Sequence, residues 1–125
     1  GFLSGGLTDV STLAEKDLRR NMPRFFPENF AQNVRLLDEF ADLSNRAGCT
    51  MGQLALAWLL HTDDNVIPIP GTTNPAHARE NFESATVSLN NDTMKAAGDI
   101  INQHTVIGGR YVESTQAEID TEQFQ

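Results

Sequence analysis

The residues best equipped for chemistry stand close together in Gly71-Thr72-Thr73-Asn74-Pro75-Ala76-His77-Ala78-Arg79-Glu80-Asn81. A glycine, two hydroxyls, an imidazole, a guanidinium, a carboxylate and two amides fall within eleven residues. Ahead of them runs Val66-Ile67-Pro68-Ile69-Pro70, a short apolar stretch that reads as a strand. Asn74 reads as the N-cap of the following helix, with Pro75 at its first position. A strand that turns through glycine into a helix N-terminus presents backbone N–H groups and the positive end of a dipole, which suits a phosphate. An ordinary strand-to-helix turn has the same spacing, so at this level both readings stand.

Other reactive side chains give weaker signals. His61, His77 and His104 are far apart in sequence and lack the His-x-x-x-His spacing of a metal helix, so no metal site is expected. His61 and His104 each fall near an expected helix C-terminus, where the dipole favours an imidazolium, and capping is their default role. Asp63-Asp64 reads as a turn pair. Ser4 lacks the Gly-x-Ser-x-Gly frame of a nucleophile elbow. Cys49, the one cysteine, reads as a buried residue at a helix junction; it excludes an internal disulfide and fits a cytoplasmic protein.

The elements that must position these groups can be read in order. Residues 1–27 read as loop, with one helical turn expected near Thr12-Leu13-Ala14-Glu15 and Phe25, Phe26 and Phe30 as apolar anchors. From Glu28 to Ala47, Phe30, Val34, Leu37, Phe40 and Leu43 recur at helical steps, and Gly48 is a left-handed cap candidate. Thr50 opens a helix to about His61 whose leucines, alanines and Trp58 make it apolar almost all round. The strand Val66–Ile69 and the helix from Pro75 to about Ala85 follow. A last helix is capped by Asn90 or Asn91, carries Met94, Ala97, Ile100 and Ile101 on its apolar face, and is closed by Gly108-Gly109. Residues 108–125 are polar and acidic, with Tyr111 and Phe124 as isolated anchors, and are expected to be mobile. The reading is a single domain, 1–125, mainly α, with about four helices and at most one short strand.

The 125 residues carry 9 Lys and Arg against 17 Asp and Glu, a net charge of −8. That disfavours nucleic acid and anionic membrane as partners. No apolar run approaches the ~18 residues of a membrane span.

Ile69-Pro70-Gly71-Thr72 with Glu80-Asn81 resembles the last strand and cofactor helix of the aldo-keto reductases. The stretch Cys49-Thr50-Met51-Gly52-Gln53-Leu54-Ala55-Leu56-Ala57-Trp58-Leu59-Leu60 is similar to that family's preceding helix, and Gly109-Arg110-Tyr111 to its C-terminal tail. The resemblance covers nearly the whole chain. It implies the C-terminal part of a (β/α)8 barrel, a fold that needs roughly 250 residues, and a nicotinamide cofactor, NADP(H). The cofactor-binding residues it carries over are Gly1, Phe2 and Leu3 along the diphosphate, and Ile69, Pro70, Gly71, Thr72, Thr73, His77, Glu80 and Asn81 toward the adenosine. It also implies that the hydride comes from NADPH and the proton from a Tyr supported by Lys, Asp and His in the N-terminal half of the barrel. No residue here matches those four, so no catalytic residue is assigned and the chain alone is not expected to be a reductase. The family commonly has Lys or Arg near the positions of Thr73 and His77, where this sequence has a hydroxyl and an imidazole.

A barrel segment of this kind must cover its apolar helix, since exposure costs about 25 cal/mol for each Å² of apolar surface and a domain is held by only about 5–15 kcal/mol. The expected partner is a second copy in a homodimer, or the remaining barrel half. Two functional classes follow: the cofactor side of an NAD(P)H-dependent carbonyl oxidoreductase, or a cofactor-independent cyclase, isomerase or scaffold built from the same segment.

Overall fold

The computed structural model describes Gly1–Glu118. Among these residues there are six α-helices, several short 3-10 turns and no strand: α1 (Pro27–Asn33), α2 (Leu36–Arg46), α3 (Met51–Thr62), α4 (Pro75–Glu83), α5 (Asn91–Ile100) and α6 (Glu113–Gln116). The mainly α reading holds. None of the helices is long and apolar enough to cross a membrane. Two compact units form, one from Gly1–Leu7 with Leu37–Ile100, the other from Thr8–Leu36 with Ile101 onward.

The first unit is organised around α3. Thr50 caps it with a full capping box: its hydroxyl accepts from the Gln53 N–H at 3.1 Å, while Gln53 Oε1 accepts from the Thr50 N–H at 3.1 Å. Upstream, Gly48 ends α2 at φ 71°, the left-handed conformation expected of it. The middle of α3 is the driest place in the chain, with Leu54 and Ala57 fully buried. Four elements touch α3: the turn Phe2–Ser4, α4, the turn Ser84–Thr86 and α5. Trp58 Nε1 donates to the Met94 carbonyl at 3.0 Å, tying α3 to α5. His61 sits in the last turn of α3; its Nδ1 donates to the Ala57 carbonyl at 2.8 Å, inside the helix, and its Nε2 accepts from the Leu89 N–H at 3.5 Å. Cover is incomplete, however: Leu59 and Leu60 remain over a third exposed.

In the second unit, α1 is held by side-chain amides. Asn33, 2% exposed, donates through Nδ2 to the carbonyls of Arg24 at 3.2 Å and Ile107 at 2.8 Å, and its Oδ1 accepts from the Ile107 N–H at 2.8 Å. Arg24 Nε donates to the Gly108 carbonyl at 3.2 Å, and Asn29 Nδ2 to that of Pro23 at 2.9 Å. Phe30 is buried and stacks on Phe25 with ring centroids 6.0 Å apart, the packing role expected for these anchors.

Several elements differ from the sequence reading. The Val66–Ile69 strand does not form, because a strand exists only through a partner ladder and Pro68 and Pro70 remove two donors. The helix expected from Glu28 to Ala47 is two helices that turn at Val34-Arg35; the Phe30, Val34, Leu37 stripe runs on across the break and conceals it. The early turn is Val10–Thr12, two residues before its expected place, because Asp9 supplies the cap and accepts from the Ser11 N–H. The last long helix stops at Ile100, well before Gly108-Gly109. Asn102 takes over there, accepting in a turn from the His104 N–H at 2.8 Å, so His104 caps no helix. In the expected mobile tail, α6 is a single turn and Arg110 lies over the Tyr111 ring; Phe124 is outside the described residues.

Candidate functional site

The helix that bears the candidate residues starts as expected. Asn74 Oδ1 accepts from the Ala76 N–H at 2.9 Å and Pro75 stands at the first helical position. One turn earlier, Thr72 Oγ1 accepts from the Asn74 N–H at 3.1 Å. These bonds consume donors: Pro75 has none, Ala76 gives its N–H to the Asn74 side chain, and Ala78 gives its own to the Asn74 carbonyl. Within the first turn of α4, the His77 N–H is the donor left to face a ligand.

Beside this helix start lies a cleft of about 390 Å³ within the first unit. It brings together residues that are far apart in sequence. Gly1 and Leu3 line it from the N-terminal segment, Pro70, Gly71 and Thr72 from the irregular turn, and His77, Glu80 and Asn81 from α4. Phe2, Ile69 and Thr73 do not line it. Ile69 is 92% exposed, so with no strand to fix it the side chain points away from packed structure.

The cleft has a floor that sequence reasoning missed: Gly52, Ala55 and Leu56 of α3, together with Ser4 and Gly6. Small residues at 52 and 55 followed by Leu56 place one face of α3 at helical spacing, and this was the available signal. Glu80 is anchored across that floor. The Thr50 hydroxyl donates to its Oε1 and Gln53 Nε2 reaches its carbonyl at 3.4 Å, so its carboxylate stands at the N-terminus of α3, where the dipole favours an anion.

Gly71 is the informative residue. Its φ is not positive, and a Cβ built on it meets nothing within 4 Å. Neither backbone conformation nor packing within the chain requires glycine there. What a missing side chain does supply at an exposed turn is room for a ligand to approach the backbone. On the outer side a second, more apolar groove of about 510 Å³ is lined by Leu60, Ile67, Pro68, Phe82 and neighbours, and Ile67 and Phe82 are about four-fifths exposed.

Among the described residues no three His, Cys, Asp or Glu side chains gather as a metal group. Burial pushes the Cys49 thiol up, away from thiolate character, and its Sγ lies 3.8 Å from the Ser44 carbonyl. Asp63 is held below the ordinary carboxylate value by the Asn65 backbone and side-chain N–H groups, which is the work of a turn residue.

The cleft combines a small-residue floor, a bare turn at Gly71, hydroxyls at Ser4 and Thr72, and the carboxylate and amide of Glu80 and Asn81, which together offer hydrogen-bond donors and acceptors.

Comparison with known proteins identifies a family. The Aldo/keto reductase family model matches residues 1–102. Aldo-keto reductase yakc, NADP(+), of Schizosaccharomyces pombe is 38% identical over 111 residues, covering 89% of this chain and 33% of that protein. An aldo-keto reductase of Gibberella moniliformis is 38% identical over 100 residues, covering 80% of this chain and 30% of that protein. The chain therefore spans about a third of the length of these relatives. No solved structure matches significantly. With the family model covering most of its length and bracketing the whole cleft, this chain belongs to the aldo/keto reductase family.

Proposed function

We propose that this chain carries the cofactor-facing side of an NAD(P)H-dependent carbonyl oxidoreductase, and that the cleft between the turn Phe2–Ser4, α3 and the start of α4 receives the adenosine end of the dinucleotide. The single observation that supports this most is Gly71, a glycine that the fold itself does not need, at the mouth of a cleft lined by eight of the eleven residues expected to bind cofactor. When bound, the dinucleotide supplies the hydride for reduction of a carbonyl. This chain's residues bind and orient: Gly71 admits the ligand to the backbone, the His77 N–H meets an anionic oxygen at the helix start, and Glu80, fixed by Thr50, takes hydroxyl or amino hydrogens. No tyrosine or lysine lines this cleft, and no residue of it is assigned to proton delivery.

Self-association in the cytoplasm is part of the same proposal. Its support is the strip of Ile67, Ile69 and Phe82, each 80% exposed or more, which a second copy would cover. Equilibrium dialysis of the purified chain against NADH and NADPH tests the main reading. Saturable uptake of either, displaced by ADP-ribose, is the expected result. No uptake of either at millimolar ligand would reject it in favour of a cofactor-independent role.

A further inference from the structure

Resting on the cofactor reading above, we infer that this cleft selects the dinucleotide without a 2′-phosphate: it is built for NAD rather than NADP. A 2′-phosphate is a near-dianion, and proteins hold such groups with Arg or Lys through charge-assisted hydrogen bonds. A ribose with a free 2′-hydroxyl is instead met by a carboxylate acceptor. No lysine or arginine side chain lines this cleft, whose ionisable side chains are His77 and Glu80.

Few neutral side-chain donors are placed to substitute: the Ser4 hydroxyl already donates to the Gly1 carbonyl, which leaves the Thr72 hydroxyl and the Asn81 amide. Thr73, one of the residues expected to bind cofactor, does not line the cleft. Thr72 does, but its oxygen already accepts from the Asn74 N–H, leaving one O–H. Asn74, whose Oδ1 accepts from the Ala76 N–H, is outside the cleft lining. Arg79, the cation nearest in sequence, lies two residues from His77, a step that points it off the face shared by His77, Glu80 and Asn81, and it is exposed and outside the cleft lining. Glu80 cannot turn away cheaply, because the Thr50 hydroxyl holds it at the cleft wall. Its charge opposes a second anion within a few ångströms while accepting from a 2′-hydroxyl. The net charge of −8 adds a long-range preference of the same sign.

The test is direct binding, with no turnover required. Isothermal titration of the full chain with ADP-ribose and with 2′-phospho-ADP-ribose compares ligands that differ by the phosphate alone. A sample acetylated at the Gly1 amine is run alongside, so that side chains supply all the charge at the cleft. ADP-ribose is expected to bind roughly tenfold tighter or more, with the gap narrowing as salt rises. His77→Arg, on an exposed position whose helix content can be checked by circular dichroism, should shrink that ratio by roughly tenfold by adding a charge-assisted donor. Tighter or equal binding of the 2′-phospho ligand would overturn the inference and leave the cofactor reading standing. Saturation by neither ligand would remove both.

Discussion

Gly108 and Gly71 both lie in irregular backbone between helices, yet the chain treats them in opposite ways. Gly108 is at φ 89°, and a Cβ there would stand 2.9 Å from Asn29 Nδ2 and from the Pro23 carbonyl carbon. Its neighbour Ile107 has its N–H and carbonyl bonded by Asn33. Gly71 has ordinary φ and empty space around it, and the turn it belongs to is shaped by prolines and by one hydroxyl cap. Irregular backbone is thus fixed by buried amides in one unit and left open in the other. Stability should depend on the first and ligand affinity on the second.

The comparison breaks most visibly at Asn33. Asn33→Ala strips partners from the Ile107 N–H and from two carbonyls, and should cost about 3 kcal/mol in urea unfolding, since each buried group left unpaired costs roughly 1–3 kcal/mol. Gly108→Ala should cost about 2 kcal/mol from left-handed strain and the Pro23 contact. Thr50→Val, which loses the α3 cap and the hold on Glu80, should cost about 1 kcal/mol and weaken nucleotide binding in the same titration. Gly71→Ala should leave the unfolding midpoint within about 0.5 kcal/mol of wild type, or raise it slightly, while reducing affinity. Equal stability losses at Gly71 and Gly108 would erase the distinction.

The smallest effect concerns pH. Asp17 is held at about 2 against an ordinary 3.8, first by the Arg19 side chain and then by the Arg19 N–H. A carboxylate depressed on folding stabilises above its unfolded value, and that contribution is lost as pH falls from about 3.8 toward 2. Unfolding midpoints across that window should fall less steeply for Asp17→Asn than for wild type.

What was legible in the sequence was local. Thr50, Asn74 with Pro75, and Gly48 are caps whose partners lie within a few residues, and each forms as read; the Gln53 half of the Thr50 capping box is added by the structure. Eight cofactor candidates share the cleft, and three of them, His77, Glu80 and Asn81, do so through their spacing along one face of α4, which needs no sheet. The rest depended on distant chain. Asn33 meets Ile107 across 74 positions, and no pattern near Asn33 announces it. The Val66–Ile69 run has strand composition, but composition cannot supply the neighbouring strand that makes one. Phe2, Ile69 and Thr73 alternate away from the cleft in turns whose dihedrals the sequence does not specify.

The most direct test is a titration of the isotopically labelled chain with ADP-ribose, followed by backbone amide NMR. Saturating shifts confined to Gly71, Thr72, His77, Asn81 and the facing Gly52 and Ala55 of α3, with Asn33 and Ile107 unmoved, are predicted. Absence of shifts at millimolar ligand, or shifts centred on the Asn33 node, would contradict the assignment of this cleft to the cofactor.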